Sequence, residues 1–242
     1  MKETDHELGK LKEGLEKLGT GISTGQLKQF DRYISLLIEW NQKMNLTAII
    51  KPEEIIVEHF LDSLSLINIG DMKDVSTLID VGTGAGFPGV PLKIMMPHIR
   101  VVLLDSLRKR TEYLRNLKVE LGLDNMEIYH SRAEDSAVRS DMRGQFDIAV
   151  SRAVAPLNVL SELCLPFVKD GGVFVAYKGP AAQDELSAAR DAIKILGGGI
   201  AKINRVDVPY SPKEHNLIII QKLTQTIKKY PRSPGKIKKS PL

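Results

Sequence analysis

The chain has 242 residues, 43% of them hydrophobic, with 34 Lys plus Arg against 30 Asp plus Glu and a single cysteine. That length buries one sizeable core and leaves room for a small accessory element. Cys164 alone excludes an internal disulfide framework and a zinc site of several thiolates, and no metal is expected; a reducing, cytoplasmic location fits best.

The charged start, Met1 to Gly9, is unlike a secretory leader, and no uncharged stretch approaches the roughly 20 residues of a membrane helix, so neither secretion nor a membrane partner is expected. Leu8, Leu11, Leu15 and Leu18 recur at helical spacing until Gly19 and Gly21. A second helix is expected over about 26–40, with Leu27, Phe30, Tyr33, Ile34 and Leu37 on one face and a turn from Trp40 to Asn45 beyond it. A third begins near Pro52 and carries Ile56, Phe60, Leu64 and Ile67. Three such helices cannot bury their apolar faces alone and must pack on the rest of the chain.

From Ser76 short β-rich segments alternate with helices. Strands are expected at 77–81, 101–104, 126–129, 146–151 and 173–177, with helices at 88–96, 107–121, 156–168 and 183–196. Such alternation builds an α/β fold whose parallel sheet is covered on both faces. Two last strands, 201–208 and 216–221, are joined by Pro209 to Pro212, too short for a crossover helix, so they should be antiparallel. The domain reading is a helical cap over 1–70, a sheet domain over 71–223 and a basic tail over 224–242, whose end, Tyr230 to Leu242, is expected to be mobile until it meets a partner.

The excess positive charge belongs to that end. From Lys222 onward there are seven basic residues (Lys222, Lys228, Lys229, Arg232, Lys236, Lys238, Lys239) and no acidic one, so the preceding 221 are net acidic. Taken alone, such a segment is compatible with phosphate-rich nucleic acid, an acidic protein or an anionic membrane surface, or with a solvated tail that aids solubility. Arg108, Lys109 and Arg110, at the start of the helix after Asp105, are the other candidates for holding phosphates.

The sharpest motif is Asp80-Val81-Gly82-Thr83-Gly84-Ala85-Gly86-Phe87-Pro88-Gly89, between a strand and a helix. Glycines there let the backbone turn sharply and approach a ligand. The third glycine follows the second by two residues, unlike the dinucleotide fingerprint, and no Gly-Lys-Ser/Thr ending is present to cradle phosphates. Asp80 disfavours a pyrophosphate and attracts a cofactor bearing an ammonium group. Asp105, 23 residues beyond Gly82 at the next strand's end, is placed to accept from ribose hydroxyls. Ser131 to Asp135 and Ser151 to Pro156 end two further strands of the same sheet. There Ala133 and Glu134 could border an adenine, and Arg152 could orient a carboxylate or phosphate.

These blocks, with Trp40-Asn41…Asn45-Leu46-Thr47, His59-Phe60-Leu61-Asp62-Ser63 and Tyr230-Pro231-Arg232, closely resemble the bacterial 16S rRNA (guanine-N7) methyltransferases, the glucose-inhibited division protein B family. The resemblance spans nearly the whole chain after the first twenty or so residues. It implies a Rossmann-like class I methyltransferase fold, a seven-stranded mostly parallel sheet with an antiparallel last strand and an N-terminal helical element. It also implies S-adenosylmethionine as methyl donor, 16S rRNA or the small ribosomal subunit as partner, and N7 of a guanosine in the 530-loop region as acceptor. No obligate protein partner is evident.

Carried over by motif, Gly82 and Phe87 mark the cofactor loop, Ala133 and Glu134 the adenine side, and Arg152 the border between cofactor and acceptor; Asp80, Gly84, Gly86 and Asp105 join them on the physical argument. Because guanine N7 carries a lone pair and no proton, no general base is needed. Arg152 and Asn41 are candidates for positioning the substrate. Two alternatives remain open at this point: an NAD-dependent oxidoreductase on the same sheet, and a non-catalytic RNA-binding module of the same fold.

Overall fold

The computed structural model describes residues 2–69 and 74–242; the expected boundary between 70 and 71 lies outside them. Seven strands form one sheet: β1 (Thr77–Val81), β2 (Arg100–Asp105), β3 (Met126–His130), β4 (Phe146–Arg152), β5 (Val168–Lys178), β6 (Gly198–Val206) and β7 (His215–Lys222). Their order is β3-β2-β1-β4-β5-β7-β6. β1 to β5 pair in parallel, and β7 runs antiparallel to both β5 and β6. The chain winds outward from β1 to β3 and then crosses to β4 on β1's other side. That reversal opens a crevice at the carboxyl ends of β1 and β4.

Strand residues alternate between two cores, as a sheet buried on both faces requires. Leu78, Val101 and Leu103 face one; Ile79, Val102 and Leu104 face the other. The first core is closed by α1 (Lys2–Lys17), α2 (Thr24–Asn41), α5 (Gly89–Met95) and α6 (Arg108–Leu121), which contribute Leu11, Phe30, Val90 and Leu114 among others. The second is closed by α8 (Leu157–Cys164) and α9 (Ala182–Ile195), through Leu160, Leu186 and Ala189. A short α7 (Ala133–Ser136) follows β3.

The early helices are therefore part of the sheet's core. α2 starts in a capping box of Ser23 and Gln26, a reciprocal satisfaction of backbone donors typically contributing about 1 kcal/mol. Gln26 also donates to the Ile94 carbonyl of α5 (2.9 Å), Gln29 donates to that of Leu121 in α6 (2.7 Å), and Tyr33 donates to that of Ala85 in the glycine turn (2.8 Å). The single helix expected from Pro52 is a composite: α3 (Pro52–Ile55), a π-helical turn over Ile56–Leu61, α4 (Asp62–Leu64) and a 3-10 turn over Ser65–Asn68. π-turns inside helices are frequent at functional sites. This one carries His59.

The C-terminal tail departs from the expectation of a mobile segment. It runs along the second face, and Tyr230 and Ile237, of α10 (Pro234–Lys239), are 7% and 3% exposed. Arg143 supports it from below, donating to the carbonyls of Thr226 (2.6 Å), Ile227 (3.2 Å) and Tyr230 (3.0 Å). Lys222 is buried against the Leu196 carbonyl and Thr226. Among the described residues no helix is long and apolar enough to cross a membrane.

Candidate functional site

Four of the expected residues meet in one cavity. Gly82 after β1, Asp105 at the end of β2, and Ala133 and Glu134 at the start of α7 line a space of about 210 Å³, with Val154 closing its far side. The turn between β1 and α5 is shaped by positive φ at Gly82, Gly84 and Gly86. At Gly86 a side chain is impossible without displacement, because its Cβ would stand 2.6 Å from the Tyr33 hydroxyl. The same hydroxyl fixes the turn through Ala85, so α2 and the turn approach as closely as glycine allows.

Asp80 is fully buried beneath the turn, where its Oδ2 accepts from Thr83 Oγ1 (2.7 Å) and from the Gly89 amide (2.8 Å). It organises the turn from inside rather than offering a surface carboxylate. Its other oxygen, Oδ1, is buried and has no hydrogen-bond partner among the described residues, and burial pushes the carboxyl's pKa up to about 7 against the pull of those two hydrogen bonds.

Asp105 is 3% exposed and already accepts from the Gly84 amide (2.9 Å), the Leu107 amide (2.8 Å) and, weakly, Arg110 (3.5 Å). It fastens the turn to β2. Arg110 reaches toward the crevice with its side chain about one-third exposed, while Arg108 and Lys109 are exposed, the former paired with Glu112.

Phe87 lies outside the cavity, its ring stacked 5.3 Å from Tyr33 and 4.4 Å from His59. Arg152 turns away from the cavity as well. Its guanidinium covers Phe87 at 5.1 Å and donates to Asp62 Oδ2 (2.5 Å), the Glu58 carbonyl (3.2 Å) and His59 Nδ1 (3.2 Å). His59 Nδ1 also stands 3.1 Å from the Glu58 carbonyl, and its Nε2 stands 2.8 Å from Thr47 Oγ1. Burial, seconded by the Arg152 charge, depresses the His59 pKa to about 3, so the ring is neutral at neutral pH.

Asp62 is held ionised: burial raises its pKa, and hydrogen bonds and charge from His215 and Arg152 more than reverse that. Asn41 is also occupied. Its Oδ1 accepts from the Leu46 (2.7 Å) and Thr47 (3.0 Å) amides and its Nδ2 donates to the Thr47 carbonyl (3.0 Å), which makes it the clasp of the loop after α2.

In the tail, Arg232 is spent on Glu162 of α8. Its backbone amide and Nε donate to Oε1 (2.7 and 2.9 Å) and its Nη2 donates to Oε2 (2.6 Å). Lys228, Lys229, Lys236, Lys238 and Lys239 remain exposed. Sequence reasoning missed Asp62 and His215 as the partners that aim and charge the Arg152 network. His59 and Asp62, three apart on one helical face, were the available signal; His215, 153 residues from Asp62, left none.

A sheet wound in this order, with a reversed hairpin at one edge and a glycine turn opening the crevice after β1, defines a class I methyltransferase fold. TYW2 of M. jannaschii, solved in complex with AdoMet, shares it with a TM-score of 0.53 at 15% identity, over 73% of this chain and 80% of that one. The family model described as rRNA small subunit methyltransferase G (GidB) matches residues 26–217. The ribosomal RNA small subunit methyltransferase G of Alkaliphilus metalliredigens (strain QYMF) is 49% identical over 232 residues, covering 96% of this chain and 97% of that protein. Its namesake in Halalkalibacterium halodurans is 47% identical over 236 residues, 98% and 99% of the two chains. The chain belongs to this family of methyltransferases, which leaves no place for the nicotinamide-dependent alternative.

Proposed function

We propose that this protein transfers the methyl group of S-adenosylmethionine to N7 of a guanosine in the 530-loop region of 16S rRNA. The observation that carries the reading is the meeting of Gly82, Asp105, Ala133 and Glu134 in one cavity at the reversal point of the sheet, in a chain about half identical to ribosomal RNA methyltransferases over nearly its whole length. Residues 1–70 then act as a cap, 71–223 as the transferase proper and 224–242 as a basic flank.

Two features of the crevice fit the donor. Beyond Gly84 and its two chain neighbours, no described residue comes within 4 Å of the position a Cβ would take on Gly84, so a ligand can lie against that backbone. Beneath it Asp80 Oδ1 is a buried oxygen without a hydrogen-bond partner among the described residues, and a ligand carrying positive charge lowers the cost of leaving it so. Ala133 and Glu134 form the adenine side, and Asp105 retains lone pairs for a ribose hydroxyl beyond those given to the turn.

When bound, the donor supplies an electrophilic methyl on a sulfonium. The protein's part is placement. Guanine N7 needs no deprotonation, in keeping with a neutral His59 buried against Phe87 and Thr47. Holding N7 about 3 to 3.5 Å from the methyl, in line with the departing sulfur, is where the rate advantage arises. Arg152, fixed by Asp62 and His59, keeps the wall between donor and acceptor rigid.

Mass mapping of 16S rRNA from cells with and without the gene tests both reaction and nucleotide: a methyl on one 530-loop guanine should vanish with the gene. Donor binding without transfer to bare RNA, assembly intermediates or whole subunits would favour the non-catalytic RNA-binding module instead.

A further inference from the structure

A second cleft adjoins the donor cavity and is not accounted for by donor binding. It measures about 540 Å³ and is bounded by Arg152, Ala153, Lys178, Pro180, Glu185 and His215, from the carboxyl ends of β4 and β5, the start of α9 and the start of β7. Consecutive residues divide the two spaces. Val154 closes the donor cavity, its methyl 2.6 Å from where a Cβ on Gly82 would stand, and Ala153 lines the second cleft. Ala153 holds φ at +56°, a left-handed conformation rare for a residue with a side chain. Such strain persists where the surroundings impose it, often at working sites. A base in this cleft is thus one residue's thickness from the donor.

The polar groups of the cleft are mostly committed. His215 uses both ring nitrogens, on Asp62 and Ser211, and the Tyr177 hydroxyl donates to the Ser63 carbonyl. Glu185 differs. Its Oε2 accepts from the Leu157 amide (2.8 Å) and from Lys178 Nζ (2.7 Å), while Oε1 has no hydrogen-bond partner among the described residues. Its side chain is 27% exposed. The carboxylate is therefore fixed in place through one oxygen, with the other available to a ligand.

We propose that this cleft receives the acceptor guanine and that Glu185 Oε1 accepts a hydrogen bond from the base's N2 amino group. The proposal rests on the methyl-transfer reading above and adds the residue that selects the base. The N2 amino group lies at the far end of the purine from N7, so a contact there leaves the N7 lone pair free for the methyl. Adenine has no amino group at that position and meets the carboxylate without a donor. A base reaching this cleft must leave its stack, as bases modified by enzymes do.

The test compares wild type with Glu185→Gln, in transfer of labelled methyl from S-adenosylmethionine to small subunits taken from cells lacking this methylation, with donor affinity measured separately by calorimetry. A second pair of subunits carries guanosine or inosine, which lacks only the N2 amino group, at the methylated position. A hydrogen bond to a charged group predicts a loss of roughly tenfold or more in kcat/KM for RNA in Glu185→Gln, with donor Kd unchanged within about twofold. Wild type should disfavour inosine by a similar factor, and Glu185→Gln should not tell the two bases apart.

Wild-type turnover on inosine equal to that on guanosine overturns the proposal whether or not the variant folds. So does a variant that keeps full activity, or one that loses donor affinity together with turnover. A wild type that binds donor and methylates neither RNA removes the methyl-transfer reading and this proposal with it.

Discussion

Asp80 keeps its proton to about pH 7 because it is buried, the hydrogen bonds from Thr83 and Gly89 opposing that shift only in part. Its pKa in the folded chain lies above the ordinary 3.8, so between those values the native state binds a proton that the unfolded chain has released. Its stabilising contribution is complete below 3.8 and is lost as pH rises through 7. Unfolding free energies of wild type minus Asp80→Asn should fall across that window, measured by denaturant titration at stepped pH; a flat difference would mean the carboxyl titrates normally. A donor cation near Oδ1 favours the ionised form, so donor binding should release a proton and tighten as pH approaches 7. Calorimetry in two buffers of different ionisation enthalpy detects that release. Two glycines of the turn separate binding from folding. Gly84→Ala meets no described residue beyond its chain neighbours and carries only the strain of φ at +61°, about 1 to 2 kcal/mol, so it should weaken donor binding more than it weakens the fold. Gly86→Ala drives a Cβ into Tyr33 and Val90 and should mainly lower the melting temperature.

Elements whose pattern is local could be read from the residues. The turn at Asp80 to Gly89, every strand from 77 onward and the antiparallel last hairpin follow from apolar periodicity and glycine or proline punctuation. The π-turn over Ile56–Leu61 could not be read that way. Its contacts lie far away in sequence, with His59 on Phe87 and Glu58 on Arg152. The tail was misread for the same reason. Its charge is visible, but Arg143 and Glu162, which hold it down, are separated from their partners by 70 residues or more. Of the residues expected at the donor site, Gly82, Asp105, Ala133 and Glu134 line the cavity, whereas the side chains of Phe87 and Arg152 are drawn to Tyr33, His59 and Asp62, and that of Asp80 lies under the glycine turn. Arg232 is where this matters for stability. Glu162 is wholly buried and takes its hydrogen bonds from Arg232, so Arg232→Ala removes the guanidinium and leaves the carboxylate in the core with the backbone amide alone, at a cost of up to about 3 kcal/mol. Urea unfolding should show that loss; replacing Glu162 as well by Gln should recover part of it, since the buried charge is then gone. If Arg232→Ala unfolds at the wild-type midpoint, the tail is not anchored through this pair.

Charge over the whole molecule is distributed differently from its count along the chain. Lys222 and Arg232 are withdrawn into the fold, and α10 presents Lys236, Lys238 and Lys239 outward around the buried Ile237. The last residue returns to α8, where Asn158 donates to the Leu242 carbonyl (3.2 Å), near the start of the helix that follows the Arg152 strand. A folded basic flank can hold RNA phosphates at a fixed distance from the acceptor cleft, which a floppy tail cannot do. Such contacts position RNA without reading it, the base being read in the cleft. Phosphate contacts have a signature in salt. Each one lost lowers the slope of log affinity against log salt by about 0.7 on single strands. Replacing Lys236, Lys238 and Lys239 by Gln should therefore reduce the slope for 16S rRNA by about 2 if all three touch phosphate, and should raise KM for RNA at physiological salt while leaving donor affinity and the melting temperature unchanged. Filter binding from low to moderate salt measures the slope. An unaltered slope would put the RNA on another face, with Arg108 and Lys109 at the start of α6 the next cations to replace.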